Sequence, residues 1–262
     1  MKKIVSLFTA ALLITVMLSQ TAFGLTMMVC DSMPKMESEI PKNKWYSDAV
    51  RFVVDEYLFL GDNKGHPEIK TEGSDIPSIN ITVTLFDFVP NKAATRMELL
   101  NTLYLYDGNN DYFWNYPLYG VPGEPVPSCV AFKDISDGTW DAVSAQWGYD
   151  NGITNGVGGG RFKPHSNVTR EEFVTMVYRF AQKKGVDTST SDGVAKAFDD
   201  YGKVSKWARD AMNWACDIGL INGKTKTMIK PRDSVTRAEM AMIIYRFNNL
   251  VIAHDDLCPE LQ

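Results

Sequence analysis

The sequence predicts an all-α protein built from three tandem helix–loop–helix copies, and three observations carry that expectation. A Thr-Arg-x-Glu tetrad occurs at Thr95-Arg96-Met97-Glu98, Thr169-Arg170-Glu171-Glu172 and Thr236-Arg237-Ala238-Glu239. Trp140 and Trp207 each stand 29 residues ahead of a tetrad and are followed by Trp at +7 (Trp147, Trp214), Gly at +12 (Gly152, Gly219) and Gly at +16 (Gly156, Gly223). After the tetrads, apolar side chains recur at helical spacing: Phe173, Met176, Val177 and Phe180, then Met240, Ile243, Ile244 and Phe247.

Taken in chain order, residues 1–24 read as a signal peptide. Lys2 and Lys3 precede an apolar run to about Leu18, and Ala22-Phe23-Gly24 offers small residues for cleavage before Leu25. That run is shorter than the ~20 residues a membrane span needs, and no second such run follows, so no membrane insertion is expected after cleavage. A segment 25–44 leads into copy one, 45–106. There Trp45, Phe52 and Gly61 hold the 0, +7 and +16 places, and Pro90 lies five residues before Thr95, but an insertion at 62–85 interrupts the copy. An aromatic and proline-rich linker, 107–131, joins copy one to copy two at 132–184. A linker 185–197, copy three at 198–250 and a tail 251–262 complete the chain.

Within a copy the first helix, Trp207 to about Ile218 in copy three, should stop at a glycine able to take the left-handed C-cap conformation, here Gly219. A turn-rich loop then runs to Pro164 or Pro231, five residues before the tetrad. Thr followed three residues later by Glu is a capping box: the hydroxyl accepts from the N3 amide, and the carboxylate reaches back to the N-cap amide. The second helix should bury its apolar stripe. A two-helix unit of this size cannot enclose a core alone, so the copies must pack on one another.

Arginine after the N-cap threonine sits beside the positive end of the helix dipole, at a cost of roughly 0.3–1 kcal/mol on an exposed surface. Two readings account for its presence in all three copies. Beside free N-terminal amides it makes a local anion site; paired with a nearby Asp or Glu it ties a loop to a helix.

The order aromatic-x-Asp, Trp, helix-ending Gly, Gly-rich loop with Phe-x-Pro, and Thr-Arg-x-Glu resembles the S-layer homology family. Phe132-Lys133-Asp134 and Phe198-Asp199-Asp200 supply the opening motif, and Gly158-Gly159-Gly160-Arg161-Phe162-Lys163-Pro164 the loop. The resemblance implies a pseudo-threefold, three-pronged spindle around a central three-helix bundle. It implies sugar-binding grooves between prongs that hold secondary cell-wall polysaccharide, commonly pyruvylated, at the bacterial surface. Carried over by position, Arg96, Arg170 and Arg237 meet the ketal carboxylate, and Trp45, Trp140 and Trp207 wall the sugar. Asp134 and Asp199 belong to the same set, and Gly156 and Gly223 allow close backbone approach. Copy one has Met36-Glu37 in place of the opening motif. Copy three has Lys224-Thr225-Lys226-Thr227 in place of the glycines, lysines that serve an anionic polymer or form a solvated turn. Copy two is the most complete, so Arg170 lines the favoured groove. Self-assembly or other envelope proteins are the further partners implied.

Composition limits the rest. Without Lys2 and Lys3 the 27 basic residues become 25 against 32 acidic ones, a net charge near −7, which disfavours nucleic acid and makes any anion site local. Cys30, Cys129, Cys216 and Cys258 permit two disulfides in an exported protein. Cys30 with Cys258 is the favoured pair, leaving Cys129 and Cys216 joined or free. Cys216, inside a predicted helix, serves equally as a buried hydrophobe. No metal-ligand spacing, cofactor motif or nucleophile elbow is present. A non-catalytic role is expected, the alternative being a carbohydrate-active hydrolase with a carboxylate pair in the 62–85 insertion, for instance Glu68 or Glu72 with Asp75.

Overall fold

The computed structural model describes residues 43–56, 58, 68–71, 79–82, 88–109, 128–191 and 193–252. The expected signal peptide, Cys30, Met36-Glu37, Glu72, Asp75, Cys258 and most of the 107–131 linker lie outside the described residues. The chain divides into two compact units. One, made of Ser38–Lys64, Phe86–Asp107 and Val126–Gln262, contains six α-helices among the described residues. These are α1 Ser47–Asp55, α2 Arg96–Tyr106, α3 Trp140–Asp150, α4 Arg170–Lys183, α5 Arg209–Asp217 and α6 Arg237–Phe247, the last continued by a π turn over Asn248–Ile252. This unit is all-α, as expected.

The other unit, Met1–Glu37, Gly65–Leu85 and Gly108–Pro125, contains an antiparallel hairpin of β1 (Glu68–Thr71) and β2 (Ile79–Thr82), with Ile69 opposite Ile81. The helical repeat pattern gives no hint of it. Its cause is local, since alternating β-branched residues in both segments favour strands.

All three capping boxes form. Thr95, Thr169 and Thr236 each accept from the N3 amide while Glu98, Glu172 and Glu239 return to the threonine amide. The first helices are less uniform than the sequence suggests. α3 starts at Trp140 because the Thr139 hydroxyl accepts from the Ala142 amide. Copies one and three have lysine, Lys44 and Lys206, where copy two has Thr139, and their N-caps, Tyr46 and Ala208, make no side-chain cap. There the α-helix starts two residues after the tryptophan, and in copy three a 3₁₀ turn, Lys206–Ala208, takes up the difference. The stop is as expected: α5 ends at Asp217, Ile218 is its C-cap, and Gly219 follows at φ 71°.

Packing is cyclic between copies. Each first helix lies on the second helix of the preceding copy: α3 on α2, α5 on α4, and α1 on α6. The predicted stripes of α4 and α6 are buried throughout, as are Leu99, Leu100 and Leu103 of α2. Near the ends of the second helices Tyr106, Phe180 and Phe247 occupy the same place in each copy. They form a triangle with ring centroids 5.9, 6.0 and 5.9 Å apart. Fully burying one such phenylalanine contributes on the order of 1.5–3 kcal/mol, with a further contribution from the ring contacts.

Candidate functional site

The three N-termini of α2, α4 and α6 meet in three seams, and the backbone closes them into a ring. Val168 N–H donates to Ala94, Ala94 N–H to Val235, and Val235 N–H to Val168, at 2.9, 2.8 and 3.0 Å. The amides of Arg96, Arg170 and Arg237 donate to the carbonyls of Ser166, Asp233 and Lys92. The next amides, of Met97, Glu171 and Ala238, donate to Pro164, Pro231 and Pro90. With the third amide held by threonine, the first three N–H groups of every second helix are satisfied by the chain itself. The expectation of free amides making an anion site is therefore corrected: the loop of the neighbouring copy supplies their acceptors.

The arginine side chains follow the same cyclic rule. Arg96 Nε donates to the Phe162 carbonyl at 2.8 Å and its NH1 to Glu172 Oε1 at 2.8 Å. Its guanidinium also lies 4.8 Å over the Phe162 ring. Arg237 reaches the Phe88 carbonyl and Glu98 Oε1. In these two seams the arginine of one copy pairs with the capping-box glutamate of the next. Arg170 Nε keeps the loop carbonyl, that of Ile229 at 2.9 Å, but its NH2 turns to the Asn222 carbonyl at 2.8 Å. The equivalent glutamate oxygen, Glu239 Oε1, is held by Lys224 Nζ at 3.3 Å. All three arginines are buried, at 4%, 5% and 0% exposure, and burial pushes those of Arg96 and Arg170 below their ordinary pKa. An arginine remains charged even so.

The other sequence-chosen residues divide. Asp134 accepts from the amides of Phe162 and Lys163, both at 2.8 Å. Burial opposes its ionisation, but those two amides outweigh it and hold the carboxyl below its ordinary range. In copy three the residue doing this is Asp200, which accepts from Ile229 and Lys230 at 2.8 and 2.9 Å. Asp199 is exposed, so the assignment to Asp199 is corrected by one position. Gly156 and Gly223 are required by the chain's own packing: a Cβ there would strike the Arg161 carbonyl and Phe132 ring, or the Thr225 carbonyl and Phe198 ring. Trp45 and Trp207 are 62% and 56% exposed. Trp140 is half-buried with its ring 5.2 Å from Tyr104. Cys129 and Cys216 are buried free thiols, so the suggested bond between them is absent; burial pushes the Cys216 thiol up to about 11. No metal-holding cluster of His, Cys, Asp or Glu occurs among the described residues, and none of their helices is long and apolar enough to cross a membrane.

Sequence reasoning missed one contact that gathers the second seam. The buried carboxylate of Glu171 accepts from the Ser205 amide and hydroxyl, both at 2.9 Å. This pins the 3₁₀ turn bearing exposed Trp207 to the first turn of α4, beside Arg170. Copies one and three carry Met97 and Ala238 at the Glu171 position, so only the tetrad of copy two offers this acceptor.

Capped helices exchanged between copies and closed through a ring of loop carbonyls define a tandem-repeat helical module. The S-layer homology domain family matches residues 131–174 and 197–241. Both stretches belong to that family, and a cell-wall or cell-surface location goes with them. An amylopullulanase of Thermoanaerobacterium thermosulfurigenes is 32% identical over 60% of the chain. The cellulosome-anchoring protein of Acetivibrio thermocellus is 29% identical over 45%, and the surface-layer 125 kDa protein of Lysinibacillus sphaericus 30% over 50%. The chain spans 8%, 26% and 11% of these three relatives, respectively.

Proposed function

We propose that the protein is a non-catalytic cell-wall-binding protein that attaches to secondary cell-wall polysaccharide, in a pyruvylated form, through the seams between its repeats. Residues 45–106 are then a third, altered repeat, and the cyclic packing is the centre of a three-pronged spindle. The observation that carries the reading is the second seam, where the Glu171–Ser205 contact ties the turn bearing exposed Trp207 to the same first turn of α4 that carries Arg170. An aromatic face suits the apolar side of a sugar ring, and a guanidinium suits its carboxylate. The relatives named for anchoring and for the surface layer support retention at the envelope. The amylopullulanase matches over a small fraction of its own length, which supports a shared attachment module more than a shared activity. Of the carboxylates offered for a hydrolase, Glu68 lies on β1, and Glu72 and Asp75 lie outside the described residues.

The test is co-sedimentation with purified sacculi before and after the wall polysaccharide is stripped. Binding to intact sacculi that disappears with the polysaccharide is expected. Equal binding to stripped sacculi would transfer the target to peptidoglycan and overturn the proposal.

A further inference from the structure

We propose that Lys224 is a positioning residue: by holding Glu239 it leaves Arg170 with no hydrogen-bonded carboxylate among the described residues, so the seam between copies two and three takes the anionic sugar. This rests on the reading above and says which seam serves it and why. Glu239, Asp233 and Asp200 act on Arg170 only from a distance. The cyclic arrangement supplies the comparison. At the first and third seams the arginine meets Oε1 of the next copy's capping glutamate, in Arg96–Glu172 and Arg237–Glu98. By the same rule Arg170 should meet Glu239 Oε1. That oxygen instead faces Lys224 Nζ at 3.3 Å, and the same ammonium donates to the Ser234 carbonyl at 3.2 Å. The residue at the Lys224 position in copy two is Val157, which carries no charge with which to draw Glu172 from Arg96.

Two arginines are thus neutralised within the fold, while Arg170, 5% exposed, has neutral carbonyls as its hydrogen-bond partners among the described residues. One of these, Asn222, belongs to an exposed loop position next to Gly223 and Lys224. A carboxylate arriving there would replace a neutral acceptor with a charged one, a bond roughly twice as strong. At the other two seams an incoming anion must first displace an ion pair, so its net gain is small.

The experiment uses the mature protein and the pyruvate ketal of N-acetylmannosamine, titrated by calorimetry, with its methyl ester as the uncharged control and thermal melting as a second reading. Lys224→Val, the copy-two residue, should let Glu239 close on Arg170, lowering affinity for the ketal acid by about tenfold or more while raising Tm. Adding Glu239→Gln, which can still complete the capping box, should restore affinity and cancel the rise. Val157→Lys should release Arg96 and create a second binding site. Lys224→Val with unchanged affinity or a lower Tm would overturn the proposal. So would a double variant as weak as the single one, because Lys224 would then touch the ligand itself. Should the wild type bind sacculi but not the ketal acid, the pyruvylated ligand fails, and the Tm responses alone decide whether Lys224 governs the ion pair.

Discussion

Asp200 holds Lys230 in the left-handed region at φ 55°, just before Pro231, by accepting both the Ile229 and Lys230 amides. Asp134 does the same for Lys163 at φ 58°. Without the carboxylate, two amides lose charged acceptors and a strained residue loses its restraint. Asp200→Ala should therefore cost about 2–3 kcal/mol in urea unfolding, whereas exposed Asp199→Ala should stay within about 0.5 kcal/mol. Equal effects of the two would contradict the clamp. This clamp is legible in the sequence, because the motif is aromatic-x-Asp and Phe198 therefore points to Asp200 and not to its neighbour Asp199. The partners of the arginines were less accessible. Arg96 and Glu172 lie 76 positions apart, and nothing local tells a helix-terminal arginine which copy will supply its carboxylate. The thiols give a chemical check. Cys216 is buried with its thiol raised to about 11, so alkylation near neutral pH should require unfolding. Rapid labelling of Cys216 in the native protein would show that α5 opens.

Capping makes the second helices legible, since Thr, Glu and the apolar stripe are all within a few residues of each other. Thr169→Ala removes one half of its box and should cost about 1 kcal/mol. The first helices are less legible because their starts depend on a hydroxyl that only copy two has, Thr139. The end of α2 shows another dependence on a distant element. Its C-cap, Asp107, pairs with Lys183 and Lys184 at 2.8 and 3.1 Å, near the end of α4. Burial works against ionisation of Asp107, but the two ammonium groups outweigh it and lower its pKa in the folded protein. A carboxylate lowered on folding adds stability above its unfolded pKa, and that stability is lost as pH falls through the folded value. Wild-type Tm should therefore fall on acidification from about pH 5 to 3, around the ordinary aspartate pKa, and Asp107→Asn should flatten part of that fall. An unchanged pH profile in the variant would mean that the pairs are too solvated to contribute.

At the scale of the whole helical unit, cyclic exchange makes each copy depend on the other two. Helix α1 covers α6, α3 covers α2 and α5 covers α4, so no copy retains its own core when another is removed. A fragment of residues 132–250 would keep both family-matched repeats yet strip α6 of α1. It would also remove Phe88 and Glu98 from Arg237, leaving a fully buried guanidinium without those partners. Losing one partner of a buried pair costs about 3–5 kcal/mol, and the exposed face of α6 adds to this. The sequence already showed that the units must pack together; it did not show that the ring closes from copy three to copy one, because copy one is the altered copy. Two outcomes are expected. The mature protein should unfold in a single urea transition for its helices, and the fragment should show none, or should recover one only by associating. Phe247→Ala, which opens the Tyr106–Phe180–Phe247 triangle, should lower stability by about 3–5 kcal/mol while the transition stays single. A second, separate transition in that variant, or cooperative unfolding of a monomeric fragment, would show that copies two and three hold a core of their own.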